Sequence, residues 1–285
     1  MSTLPRLNGI IRALEAGQHA FSLFAPCEVE TAVELQGSNY DGIVFEGEHR
    51  GWDIKALRDS MQYLLNRGQI AKAGHAPSVT PTARIPANGV EKNQFLAKQA
   101  LDVGCYGVVF PHISTVEEAY NAVAACRYPR LKDKPLYEPA GIRGDGPMQA
   151  TRYWGVTQQE YYERADVWPL APKGEILVVL QIEDTSGIEN LPQILKNVPG
   201  IGAILIGEGD LSQELGYARQ TEHKVVLDAM AQVVSVCKQH KVIVGHPHVT
   251  AANAERVIAE GYRYLMCAAP RSFATLDGAR KLVQR

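Results

Sequence analysis

Eight short apolar runs, each followed by a segment with apolar residues three and four apart, alternate along the chain, and few architectures admit that rhythm. The runs occupy residues 19–25, 40–48, 77–84, 106–113, 177–183, 203–210, 242–249 and 262–269; the helical patterns occupy 28–36, 52–66, 91–103, 116–126, 187–197, 222–240, 250–260 and 272–283. A strand that is apolar throughout needs cover on both faces, as a parallel strand between helices has. Eight such units in 285 residues predict an α/β fold of the (β/α)8 TIM-barrel type, one domain over residues 1–285. An open doubly wound sheet is the competing arrangement. It would want a glycine-rich dinucleotide turn after the first strand, where this chain has Phe24-Ala25-Pro26-Cys27. The rhythm breaks once, over residues 127–172, where prolines and aromatic residues such as Tyr137, Tyr153, Trp154, Tyr161, Tyr162 and Trp168 predict an extended loop region.

Two of the runs end on acids. Leu177-Val178-Val179-Leu180-Gln181-Ile182-Glu183 and Ala203-Ile204-Leu205-Ile206-Gly207-Glu208-Gly209-Asp210 spend their apolar residues first and finish on a carboxylate. In such a fold the carboxyl ends of strands share one rim, where ligands bind, so Glu183 and Asp210 are expected to converge. Two carboxylates, with water and substrate oxygens, suit a hard divalent cation such as Mg2+ or Mn2+. Capping of the helices that follow is the competing role for both acids. Other rim positions carry chemistry too. Residues Glu46, Glu48 and His49 follow the second strand, Arg84 ends the third, His112 follows the fourth, Gln181 accompanies Glu183, and His246 and His248 close the seventh. An imidazole beside an acid can act as a general base, and a guanidinium fork fits a carboxylate. No lysine lies inside a strand, which argues against Schiff-base chemistry.

A formal net charge of −2, with no basic run, leaves no footprint for nucleic acid. No apolar run has the length to cross a bilayer, and residues 1–6 lack the pattern of a secretion signal, so no membrane partner and a cytoplasmic location are expected. Cys27, Cys105, Cys126, Cys237 and Cys267 lack paired spacing and suggest neither a disulfide framework nor a zinc site.

Taken in order, Glu46-Gly47-Glu48-His49, Arg84, Arg127-Tyr128-Pro129, Gly141-Ile142-Arg143-Gly144, Gln181-Ile182-Glu183 and Ile206-Gly207-Glu208-Gly209-Asp210-Leu211-Ser212 resemble the HpcH/HpaI aldolase family over nearly the whole chain. The resemblance implies a homo-oligomeric barrel, a trimer or hexamer, with the last helix exchanged between subunits. It also implies metal-dependent aldol chemistry: reversible cleavage of a 4-hydroxy-2-oxo acid to pyruvate and an aldehyde, with Mg2+, Mn2+ or Co2+. By the same resemblance Glu183 and Asp210 bind the metal, Gln181 supports them, and His49 is the acid/base. Arg84 holds the pyruvate carboxylate and enolate, and the backbone amides of Gly209 and Asp210 hold the carboxylate. The physics is consistent, since pyruvate can chelate a cation through its keto and carboxylate oxygens, which stabilises the enolate.

The chain departs from the family pattern in four places. Glu46 stands where the family has Asp, Glu208 where it has Pro, and the eighth strand ends Cys267-Ala268-Ala269-Pro270-Arg271 instead of on a Gly-x-Asp type sequence; residues 130–140 are an insertion. The pyruvate half is thus expected to be retained and the acceptor half changed. The insertion is expected to form part of the aldehyde wall with His246 and His248, or else to pack against another subunit. The competing functions are a related lyase, acting on a CoA thioester or decarboxylating oxaloacetate, and a non-catalytic barrel that binds a metabolite.

Overall fold

A computed structural model describes residues 4–73 and 75–268. Its strands are β1 (Ala20–Ser22), β2 (Phe24–Ala25), β3 (Gly42–Glu46), β4 (Thr80–Arg84), β5 (Gly107–Phe110), β6 (Val167–Trp168), β7 (Ile176–Ile182), β8 (Ala203–Ile206), β9 (Ile243–His246) and β10 (Tyr264–Met266). All pairings are parallel, in the order β1-β10-β9-β8-β7-β5-β4-β3-β2, with β6 an extra short strand on β7. The two ends of that path, β1 and β2, are consecutive pieces of the expected first strand, interrupted at Leu23. Val44 N–H donates to the Leu23 carbonyl at 2.8 Å and Asp41 N–H to the Phe21 carbonyl at 2.9 Å, so the sheet closes on itself. Eight strand positions around a closed parallel barrel answer the expected architecture, with strands shorter than the sequence reading gave them.

The period-two alternation of the strands divides the core into two layers. Outward residues such as Phe45, Ala83, Val108, Leu180 and Ile204 pack under the helices. Inward residues Val44, Val109, Leu177, Val179, Ala203, Leu205, Tyr264 and Met266 fill the barrel with Ile10, Ile11 and Leu14. The last three come from helix Gly9–Glu15, an element the sequence reading lacked. It is capped by Asn8, whose side chain accepts from Ile11 N–H at 3.1 Å, and it plugs the amino-terminal end of the barrel.

Residues 127–172 are more ordered than the expected loop. They contain helices Met148–Trp154 and Gln158–Arg164 as well as β6. The insertion also sits elsewhere than expected. Helix Val116–Ala125 lies between β5 and residue 130, so the insertion leaves a helix end and belongs to the amino-terminal rim. Its carbonyls at Leu136 and Pro139 accept from Arg127 at 2.6 Å each, Arg127 Nε pairs with Asp166 at 2.7 Å, and Arg130 pairs with Asp166 as well. Asp166 precedes β6 at the foot of β7, so these contacts remove the insertion from the aldehyde wall, at the opposite mouth. The expected helix at 272–283, with its exchange between subunits, lies outside the described residues, as do residues 269–271.

Candidate active site

The same alternation that turns Val44, Thr82 and Val179 into the barrel turns Glu46, Arg84, Gln181 and Glu183 into its carboxyl-terminal mouth, two or four residues further along their strands. All four are buried. Arg84 is held on three sides. Its Nε and Nη2 pair with the Glu46 carboxylate, Nη1 lies 2.7 Å from Glu48 Oε2, and its guanidinium stacks 4.4 Å over the Phe24 ring. Glu46 also accepts the backbone N–H of Glu48 at 2.7 Å and of His49 at 3.3 Å, which folds the chain after β3 back over the mouth. Glu46 thus orients the His49 backbone, whereas the ring Nε2 lies 3.6 Å from Glu48 Oε2, with the side chain 64% exposed.

Glu183 stands at the centre of the mouth. Gln181 donates to its Oε2 and in turn receives Arg84 Nη1 at 3.4 Å, and the backbone N–H of His112 donates to its Oε1 at 2.5 Å. The adjacent Asp184 caps helix Thr185–Asn197, accepting from Gly187 N–H at 2.5 Å, which frees Glu183 from the capping role. Burial pushes the Glu183 carboxyl up to about 7; its hydrogen bonds from His112 and Gln181 oppose the rise, and the charge of Glu48 adds to it. Burial also raises Glu48, with Arg84 opposing. His112 has a left-handed backbone, φ 59°, and its Nδ1 lies 2.9 Å from Glu91 Oε1. Burial alone would lower its imidazole pKa, but the Glu91 hydrogen bond and the charges of Glu183, Glu91 and Glu48 outweigh that and raise it.

The donor set fits a divalent cation. One ligand atom each from Glu48, His112 and Glu183 lie within 4.8 Å of one another, and Glu48 Oε2 is buried without a well-directed hydrogen bond. Asp210 is outside that cluster. It is exposed on helix Glu208–Glu214 and lines a cavity of about 180 Å³ with Phe24, His49, Arg84, Gln181 and Arg219. The helix reaches Glu183 through Gly207. A Cβ at Gly207 would collide with Glu183 Oε2, so only glycine admits this approach. Gly207 is also the N-cap and offers no side-chain acceptor, leaving capping to neither Glu208 nor Asp210.

Glu208 has a different neighbourhood from its sequence neighbour Asp210. It is buried between the two histidines of the seventh strand, with Oε1 2.6 Å from His248 Nδ1 and Oε2 3.7 Å from His246 Nε2. The structure therefore brings Glu46, Glu48, Arg84, His112, Gln181 and Glu183 into one contact network, with His49, Gly209, Asp210 and His248 around the adjoining cavity. His246 is buried behind Glu208, against Tyr262. Glu91, Phe24 and Arg219 escaped the sequence reading. Glu91 lay inside an expected helix that begins only at Leu96, and no sequence signal marks it.

The family model described as HpcH/HpaI aldolase/citrate lyase matches residues 21–269. A 4-hydroxy-2-oxo-heptane-1,7-dioate aldolase of Shigella boydii serotype 18 is 30% identical over 228 residues, covering 80% of this chain and 75% of that protein. A hydroxypyruvate/pyruvate aldolase of Roseobacter denitrificans is 28% identical over 234 residues, covering 82% and 78%. Among solved structures, an HpcH/HpaI aldolase/citrate lyase family protein from Burkholderia cenocepacia J2315 is 26% identical and superposes with a TM-score of 0.77, covering 97% of this chain and 98% of that one.

Proposed function

The chain belongs to the HpcH/HpaI aldolase/citrate lyase family, and from that premise we propose that it is a metal-dependent aldolase cleaving a 4-hydroxy-2-oxo acid reversibly to pyruvate and an aldehyde. One observation carries this reading: Glu46, Glu48 and Glu183 share the barrel mouth with Arg84, whose guanidinium is already paired by Glu46 and Glu48, with Asp210 on the adjoining cavity beside Arg219. An anionic substrate entering so acidic a site meets net repulsion unless a cation is present. Mg2+, Mn2+ or Co2+ suits these oxygen donors. Glu183 and Asp210 hold it in this reading, and one ligand atom each of Glu48 and His112 lies within 4.8 Å of Glu183.

A cation there would polarise the keto group of pyruvate and stabilise the enolate. The residues do the rest. Arg84, locked by Glu46 and by its stack on Phe24, offers a fixed fork to the substrate carboxylate, and the uncapped amides of Gly209 and Asp210 add two donors. Gln181, bridging Arg84 and Glu183, keeps the carboxylate-binding and cation-binding groups in register. His49, exposed to the cavity beside Glu48, takes the proton from the 4-hydroxyl in cleavage and returns it in condensation. A homo-oligomer and a cytoplasmic location belong to the same reading; among the described residues no helix is long and apolar enough to cross a membrane. The test is condensation of pyruvate with short aldehydes under chelation. EDTA should abolish turnover and Mg2+, Mn2+ or Co2+ restore it; full activity in EDTA, or borohydride trapping of a pyruvate adduct, refutes the proposal.

A further inference from the structure

The cluster of Glu208, His246 and His248 has no part in the chemistry above, yet it is built with care. His248 donates its backbone N–H to His246 Nδ1 at 3.2 Å, so that nitrogen is an acceptor and the ring proton of His246 sits on Nε2. This is the atom facing Glu208 Oε2 at 3.7 Å. Burial lowers the His246 pKa, with Glu208 opposing, so the ring is a neutral donor behind the carboxylate. The other oxygen of Glu208 accepts a hydrogen bond from His248 Nδ1–H at 2.6 Å. Both histidines thereby have an assigned tautomer, and the free edge of His248, its Nε2, is left with no partner among the described residues. The His248 side chain is 63% exposed and lines the same cavity as His49, Arg84 and Asp210.

We propose that Glu208 and His248 form an acceptor-side dyad, in which Glu208 positions His248 so that its Nε2 accepts a hydrogen bond from a hydroxyl carried beside the carbonyl of the aldehyde. The inference rests on the aldolase reading and supplies its acceptor class: a hydroxyaldehyde in preference to an alkyl aldehyde. A carboxylate behind an imidazole makes the ring a stronger acceptor, and it disfavours an anion in front of it. A site built to hydrogen-bond a hydroxyl discriminates against the analogue lacking it, because the polar group is then left unpaired. Glu208 is a positioning residue in this scheme, and His246 fixes Glu208 from behind.

The measurement is the ratio of kcat/KM for glycolaldehyde to that for propanal, which has nearly the same shape without the hydroxyl, with pyruvate as donor. A ratio cancels any general loss of activity in a variant. The wild type should favour glycolaldehyde by roughly 10-fold, the worth of one net hydrogen bond to a half-exposed ring. His248→Phe should bring the ratio close to one, and Glu208→Gln, which keeps the shape but loses the charge, should bring it between the two. An unchanged ratio in both variants overturns the proposal, as does a variant effect confined to an anionic acceptor such as glyoxylate. Metal-dependent exchange of the pyruvate methyl protons in D2O, measured on the wild type, keeps the two readings apart. If exchange is absent the aldolase reading falls and this one with it; if exchange is present and the ratios do not move, the dyad alone is wrong.

Discussion

Burial lifts the Glu183 carboxyl to about 7 in the metal-free protein, against an ordinary value of 4.5, so at pH 6 it is largely protonated. The sign follows from linkage: the metal-free fold holds a proton that the unfolded chain has already lost, so stability falls as pH rises from about 4.5 through 7. A cation binding to Glu183 must displace that proton. Calorimetric titration with Mn2+ should therefore show proton release at pH 6, read as a dependence of the heat on buffer ionisation enthalpy, and little release at pH 8. Equal heats across buffers at pH 6 would show that Glu183 is ionised before the metal arrives. Substitution separates the roles of His49 and Arg84. His49→Ala should lower kcat by roughly 100-fold to 10,000-fold, as loss of a positioned acid/base does, and leave the pyruvate KM near its value. Arg84→Ala should raise KM and lower kcat together, because its charge faces the carboxylate in ground and transition states alike. An unaltered kcat in His49→Ala removes that residue from the mechanism. Sequence made Glu46, Arg84, Gln181 and Glu183 legible because strand parity ties them to apolar residues that must face the barrel interior. Glu91 and the Glu208 pairing were not legible, since a loop and a helix start bring them to partners 21 and 40 residues away with no periodic signal.

Strands and helices carried the strongest sequence signal, and the element that misled was the insertion, residues 130–140. A barrel alternates its connections between two rims, so a segment after the fourth strand borders the site only if it precedes the following helix. Here helix Val116–Ala125 comes first, and the insertion is tied by Arg127 and Arg130 to Asp166 on the far rim. Arg127 is buried, and three of its carbonyl acceptors belong to that segment. Replacing the insertion with a tight turn should therefore leave the preference among aldehydes unchanged and lower stability, since the buried guanidinium would keep Asp166 but lose its carbonyl acceptors, at a cost of roughly 1–3 kcal/mol. A thermal melt beside acceptor kinetics decides it. Unchanged melting with altered aldehyde preference would return the segment to the site. The expected helix at 52–66 is present as Ile54–Leu64, and a second helix, Arg67–Ala73, follows it where no element was expected.

At the scale of the whole molecule, the two barrel ends do different work. The carboxyl end spends buried volume on ionisable side chains, which is unfavourable without a cation, whereas the inside of the amino end is filled by Ile10, Ile11 and Leu14 of helix Gly9–Glu15, whose start is tied down by the buried Glu175 and by Thr80. Ile10 is fully buried there, and a Cβ on Gly42, at the foot of β3, would collide with its Cδ1. Removing Ile10 should cost stability and nothing else. Ile10→Ala loses the burial and leaves a cavity, worth roughly 2–5 kcal/mol, and should lower the melting temperature by roughly 5–15 °C in a chain of this size without moving the pyruvate KM. Saturating Mn2+ raises the melting temperature of any form that folds into the binding-competent state, by an amount set by affinity. If the plug and the mouth are independent, separated by the apolar layer of Val44, Val109 and Val179, the rise should be the same in wild type and Ile10→Ala. A smaller rise in the variant would mean that loosening the foot of the barrel also loosens Glu183 at its mouth, and the two ends would have to be treated as one cooperative unit.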